Sequence, residues 1–213
     1  SRLRLKLNPP LILPRTIPLS AIEAILTAAY QMKETAKTPK QWDVALRDIA
    51  VLELLFATGV RVSELCSLQY SDVRLDEGEI KIYGKGAKER FAQIANHDVL
   101  AALSCYRAAY KDAMALAGTF FVNRVCKPLS DQSVRSIINK YRKLAGVENH
   151  ITPHMFRHSF ATLLLDEGVD IRYIQQLLGH SSIVTTQIYT HVAGKKQRDI
   201  LSEKHPRNKI HSM

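Results

Sequence analysis

Cysteine is scarce in this chain and is placed without pattern. The 213 residues contain three, Cys66, Cys105 and Cys126, an odd number at wide spacings with no C-x-x-C pair. That excludes a disulfide framework and a zinc knuckle, and the three are read as reduced thiols. Long apolar runs are also missing. Nowhere do 18 apolar residues follow one another, and the start, Ser1-Arg2-Leu3-Arg4-Leu5-Lys6, puts a charge at every second position, so no secretory signal and no membrane span is expected. With 9 Gly and 8 Pro the chain falls outside collagen-like and low-complexity compositions, and 46% hydrophobic with 23% charged residues is ordinary for a globular protein. At roughly 150 residues per domain the length supports one self-sufficient core, and a cytoplasmic protein is expected.

Positive charge is abundant. Thirty Lys and Arg against 20 Asp and Glu leave a formal net charge of +10, which favours a polyanionic partner. Its distribution weakens that inference. Residues 1–15 and residues 194–213 each carry an excess of four, leaving only two for everything between. Any nucleic-acid contact therefore has to rest on particular positions.

The first 18 residues hold Asn8-Pro9-Pro10, Pro14 and Pro18 and read as an extended linker, the tail of something upstream. Ser20 with Glu23 forms a capping-box signature, and Ile22, Ile25, Leu26 and Ala29 carry a helix to about Lys33. A second helix is predicted from Trp42 to Thr58-Gly59, and a short third from Ser63 to Leu68. Between Val73 and Ile94 the period drops to two, with Gly84-Lys85-Gly86-Ala87-Lys88 as the reversal of a β-hairpin with a basic tip. Helical spacing returns at Val99 to Tyr110. Phe120-Phe121-Val122 then reads as a short buried edge strand, and Ser130 caps a helix through Tyr141. Thr152-Pro153 opens the next helix, Gly168 and Gly179 punctuate shorter ones, and a basic helix begins near Lys195. The expected fold is mainly α with one small antiparallel sheet (α+β), divided as linker remnant 1–18, main domain 19–193 and basic C-terminal tail 194–213.

Four clusters carry polar chemistry. His154 and Arg157 share one face of a helix's first turn, which suits a phosphate, while Met155 and Phe156 anchor the other side; a capped amphipathic helix with an exposed polar end is the plainer reading. His154 and His158 stand at i, i+4, but Met155 occupies the place of the base in H-E-x-x-H and no third ligand is evident, so no metal is expected. Arg61 has Glu64 one turn away to hold its guanidinium, although such pairs are common on surfaces. Lys85, Lys88 and Arg90 make the hairpin tip either a groove contact or a solubilising turn. Lastly, His180 follows Gly179, and Tyr189 sits among Thr186, Gln187, Thr190 and His191. A tyrosine in polar company is a candidate nucleophile toward phosphorus, but the chain has 8 tyrosines and most tyrosines pack.

Taken in order, Arg61, Lys85, His154, Arg157, His180 and Tyr189 lie 24, 69, 3, 23 and 9 residues apart. With the stretches Thr58-Gly59-Val60-Arg61-Val62-Ser63-Glu64-Leu65, Gly84 to Arg90, Thr152 to Thr162 and Leu177 to Ser182, this resembles the catalytic domain of the tyrosine recombinases, the phage-integrase family, and its Xer-type members most closely. The resemblance runs from about Leu19 to Pro206. It implies a site-specific DNA recombinase that cleaves and rejoins strands through a 3′-phosphotyrosyl intermediate without cofactor. Tyr189 would be the nucleophile, Arg61 and Arg157 the phosphate clamps, Lys85 the acid for the leaving 5′-oxygen, His154 the acid/base and His180 a hydrogen-bond donor. Glu64 supports Arg61, and Lys88, Arg90, Thr152 and His158 are expected DNA contacts. The implied partners are double-stranded DNA and further copies of the chain in a tetrameric synapse, with the C-terminal helix exchanged between protomers. Relatives of this kind carry a separate helical core-binding domain before the linker, so the chain reads as a fragment or a variant lacking it. A type IB topoisomerase-like or telomere-resolvase strand transferase, and a DNA-binding module without activity, are the alternative readings.

Overall fold

The computed structural model describes residues 16–84, 89–179 and 198–210. Its organising element is a helix that is buried almost all round. The sequence Ala45 to Thr58 is so rich in Ala, Val, Leu, Ile and Phe that it has no polar face to turn to water, and such a helix can only sit at the centre. This is α2 (Pro39–Thr58), packed against α1 (Leu19–Glu34), α4 (His97–Ala117), α5 (Asp131–Leu144) and α6 (Pro153–Asp166). Each fully buried Leu, Ile or Phe along it contributes ~1.5–3 kcal/mol relative to exposure. Three charged residues, Arg47, Asp48 and Glu53, are buried in the same helix, and each is paired. Asp48 takes hydrogen bonds from Arg47, Lys140 and Tyr141, and Glu53 takes them from Tyr30 and Arg207.

Helix starts follow side-chain chemistry, though not always the expected one. Helix α2 begins at Pro39, three residues before Trp42, because Thr38 Oγ1 accepts from the Gln41 amide and Pro39 needs no amide partner. The Ser20/Glu23 capping box is not used. Helix α1 already starts at Leu19, so Ser20 lies within the helix, and Pro18 stands at the cap without a side-chain bond. Ser130 caps α5 as expected, through the Ser133 amide. The third helix, α3 (Val62–Cys66), ends two residues before Leu68. Helix α7 (Ile171–Leu178) closes on Gly179 in the left-handed region.

The sheet has three antiparallel strands in the order β1 (Val73–Arg74), β2 (Glu79–Tyr83), β3 (Glu89–Gln93). Strands β2 and β3 are the expected hairpin, registered Ile80 to Ala92 and Ile82 to Arg90. The two-residue β1 had no periodic signal to announce it. Phe120-Phe121-Val122 is fully buried but is not a strand. Only isolated bridges, Gln69 to Thr119 and Val122 to Pro128, flank it, and Tyr106 Oη donates to the Phe120 carbonyl and accepts from the Val122 amide.

Both ends of the described chain fold back onto it. The amide of Ile17 donates to Ser159 Oγ at 2.7 Å, so the last residues of the expected linker are pinned to α6. At the other end, residues 198–204 are helical, and a 3₁₀ turn follows at Pro206–Lys209. Leu201 joins a small second core with Phe160, Leu164, Ile174 and Leu178, while His205 and Arg207 are buried against α2. The tail expected to dock on a neighbour is therefore, over 198–210, part of its own chain's core.

Candidate active site

Three segments distant in sequence meet around one carboxylate. Arg61 is the residue before α3, and its backbone amide donates to Glu64 Oε2 while its Nη1 donates to Oε1, both at 2.8 Å. The expected Arg61 and Glu64 pair is thus real, and it is a reciprocal cap on the helix start as much as an ion pair. From β3, Arg90 grips the same carboxylate with both terminal nitrogens, Nη1 to Oε1 and Nη2 to Oε2, again at 2.8 Å. Burial alone would raise the Glu64 pKa, but the bonds from Arg90 and Arg61 prevail and hold it down to about 2. It stays a carboxylate at any working pH.

Arg157 enters from the first turn of α6. It is buried, and Nη1 donates to the Gly59 carbonyl at 2.8 Å while Nη2 donates to the Leu178 carbonyl at 2.7 Å. Those carbonyls end α2 and α7, where helices leave acceptors without intrahelical partners and where a cation is favoured. Burial, then the nearby charge of Arg61, lower the Arg157 pKa to about 10. Arg61 and Arg157 therefore lie close enough to feel one another, on the same side of the molecule. Glycine at 59 is required: φ is +58°, and a Cβ there would stand 2.8 Å from Phe160 Cδ1 and 3.0 Å from Leu178 Cδ2.

The chemistry available follows from counting donors. A guanidinium has five N–H groups; among the described residues Arg157 uses two, and Arg61, 36% exposed at its side chain, uses Nη1 alone. Three guanidiniums around one carboxylate leave a local excess of two positive charges, matched to a phosphodiester and its added charge on the way to cleavage. His154 is exposed on the same turn as Arg157, and His158 is exposed one turn on. Thr152 caps α6 without spending its hydroxyl on the helix.

Of the expected site residues, Arg61, Glu64 and Arg157 are brought together, and Thr152, His154 and His158 lie at the start of the helix that carries Arg157. Lys85, Lys88, His180 and Tyr189 lie outside the described residues. Lys85 and Lys88 fall in the reversal between Tyr83 and Glu89, which are cross-strand partners, and His180 directly follows Gly179. Arg90 departs from expectation. Instead of projecting from the tip toward DNA, its side chain is 12% exposed and committed to Glu64. The signal was available: with Ile80 and Ile82 facing the core, the register that pairs Arg90 with Ile82 turns it inward as well. His205 and Arg207, buried beneath the site, had no such signal.

The phage integrase family is matched over residues 23–196, and the chain belongs to it; its class is tyrosine recombinase. It is 54% identical over 211 residues to a tyrosine recombinase of Agathobacter rectalis, an alignment covering 99% of this chain and 69% of that protein. It is 40% identical to the tyrosine recombinase XerC of Thermodesulfovibrio yellowstonii, over 96% of this chain and 70% of the relative. Among solved structures, the XerA recombinase superposes with a TM-score of 0.69 at 32% identity, covering 91% of this chain and 66% of that one. The XerH site-specific recombinase bound to its difH substrate superposes with a TM-score of 0.68 at 25% identity, over 80% of this chain and 48% of XerH. The chain thus spans two thirds or less of several of its relatives.

Proposed function

We propose that this chain is the catalytic unit of a site-specific DNA recombinase that exchanges phosphodiesters without hydrolysis. Tyr189 Oη attacks the scissile phosphorus, forming a 3′-phosphotyrosyl ester as the bond to the 5′-oxygen breaks. His154 takes up the phenol proton, Lys85 gives a proton to the departing 5′-oxygen, and the freed 5′-hydroxyl of a partner strand reverses the step. Arg61 and Arg157 neutralise the non-bridging oxygens, with His180 adding a donor. The protein–DNA ester conserves the bond energy, so no nucleotide triphosphate is consumed. Preorganised cations stabilise the charge that a divalent metal stabilises in other phosphoryl transfers.

The observation that supports this reading most is the meeting of Arg61 and Arg157 at one place, each with N–H groups unspent among the described residues. The DNA contacts proposed for the surface around it are Lys88, Thr152 and His158. Double-stranded DNA and a synapse of four protomers in the cytoplasm are the proposed setting; among the described residues no helix is long and apolar enough to cross a membrane. Exchange of the C-terminal segment between protomers would need Arg207 to leave its own Glu53 and find the same residue on a neighbour, a swap of identical elements.

A nicked suicide duplex carrying the target site tests the reading. The parent should form a covalent adduct in the presence of a chelator, and Tyr189→Phe should form none. An adduct that survives Tyr189→Phe overturns it. Recombinant product, as opposed to a merely relaxed plasmid, separates it from a topoisomerase-like activity.

A further inference from the structure

We propose that Arg90 is a positioning residue for strand cleavage, acting through Glu64 to hold the Arg61 guanidinium and to seat the end of α7. The inference rests on the function proposed above. A carboxylate offers about four lone-pair sites, and all four on Glu64 are taken, two by Arg61 and two by Arg90. Arg61 alone would leave Glu64 able to swing with it. The fork from Arg90 fixes the carboxylate plane, and so the direction in which Arg61 presents its remaining N–H groups.

A second contact ties Arg90 to the residue that closes α7. Its Cδ lies so near Gly179 that a Cβ at that glycine would stand 2.7 Å away. Gly179 holds φ +68° as the residue that closes α7, one before His180 in sequence, so the arginine stem packs under the end of that helix. Arg90 is also the second residue of β3, paired with Ile82 one pair away from the reversal in which Lys85 falls. One side chain thus joins the tip-proximal half of the lysine's hairpin, the cap that carries Arg61 and the residue that precedes His180 in sequence. Its terminal nitrogens are committed to Glu64, and its Nε is buried without a partner among the described residues, a poor arrangement for a phosphate contact.

The test compares the parent with Arg90→Met, Arg90→Lys, Glu64→Gln and the double variant Arg90→Met/Glu64→Gln on the nicked duplex. The readouts are the single-turnover rate of adduct formation at saturating DNA, the Kd, and the dependence of Kd on salt. Arg90→Met should slow cleavage by about 10- to 100-fold, the scale of a misplaced clamp, with Kd within about twofold and an unchanged salt slope. Arg90→Lys should recover little of the rate, because an ammonium cannot fork a carboxylate. The double variant should be no slower than Glu64→Gln alone, since both changes remove one linkage. A salt slope reduced by about one contact, with parental cleavage at saturation, would instead make Arg90 a phosphate contact and overturn the proposal. Multiplying losses in the double variant would overturn it too. Should Arg90→Met fail to fold, Arg90→Lys decides, and parental cleavage by that variant sinks the idea. No adduct from the parent overturns the function reading and this inference with it, whereas a parental adduct with Arg90→Met equally fast overturns this inference alone.

Discussion

His205 Nε2 lies 3.0 Å from the carbonyl oxygen of Ala57, across 148 residues of sequence, while its Nδ1 accepts the Arg207 amide at 2.9 Å. The two bonds assign the tautomer. An Nδ1 that accepts must be bare, so the proton is on Nε2 and is donated to a carbonyl in the last turn of α2, which lacks an intrahelical partner. A histidine near the C-terminus thereby closes the end of the central helix, two residues from Gly59 and the Arg157 bond.

The first prediction concerns pH. Burial, with the neighbouring Arg207 charge adding to it, pulls the His205 pKa from 6.5 to about 4. Between those values the unfolded chain binds a proton that the folded chain refuses, so stability is complete above about pH 6.5 and falls as pH drops toward 4, by up to ~3 kcal/mol. Glu64 adds its own loss only lower, from 4.5 toward about 2. Urea unfolding followed from pH 7 to pH 4 should show the decline, and His205→Gln should be weaker at pH 7 but flatter over that range.

The second concerns the buried pair beneath. Arg207 donates from Nε and Nη2 to the two oxygens of Glu53 at 2.8 Å, and the side chains are 2% and 0% exposed. Glu53→Gln leaves the buried guanidinium with only Asp98, 3.7 Å from Nη1 and partly exposed, to offset its charge, and should cost about 3–5 kcal/mol. Replacing both, as Glu53→Leu with Arg207→Met, should cost markedly less. Equilibrium unfolding measures the energies, and proteolysis near residue 198 should accelerate only in the single variant.

The third uses two glycines. Gly59→Ala forces a Cβ against Phe160 and Leu178 at a backbone angle that L residues rarely adopt, and should destabilise by ~1–3 kcal/mol. Gly179→Ala should instead displace Arg90, so its cleavage rate should fall further than its melting temperature would suggest. Melting curves beside single-turnover cleavage separate the two.

The fourth isolates geometry from charge. Arg157→Lys keeps a cation but cannot bridge the Gly59 and Leu178 carbonyls, so cleavage at saturating DNA should fall by ~10²–10³-fold with little change in affinity. A parental rate from the lysine variant would mean that charge alone suffices there.

Much of the fold was legible because periodicity is a local property. The helices around Ile22, Leu52, Val134 and Phe156 announced themselves by spacing, and the hairpin by its glycines. What failed failed for stated reasons. The Ser20 and Glu23 pair reads as a cap in isolation, yet Pro18 already ends the preceding chain and Leu19 begins the helix. Phe120 to Val122 has the composition of a strand, but its amide and carbonyl groups are met by the Tyr106 hydroxyl and by single bridges in place of a ladder. At the site, Arg61 and Glu64 were readable as a pair because they are three residues apart. The third member, Arg90, was misplaced because a basic residue near a hairpin tip looks solvated unless strand register is followed through.

By itself the sequence determined the apolar second helix, the hairpin and the pairing of Arg61 with Glu64, all matters of short-range spacing, and the order of the chemistry-bearing residues. Only the tertiary structure decided that Arg90 turns inward, that Arg157 spans the ends of two helices and that His205 and Arg207 enter their own chain's core. Each of those depends on partners 21 to 154 residues away, and a buried charge finds its place only where folding has already assembled the acceptors that compensate for the water it loses.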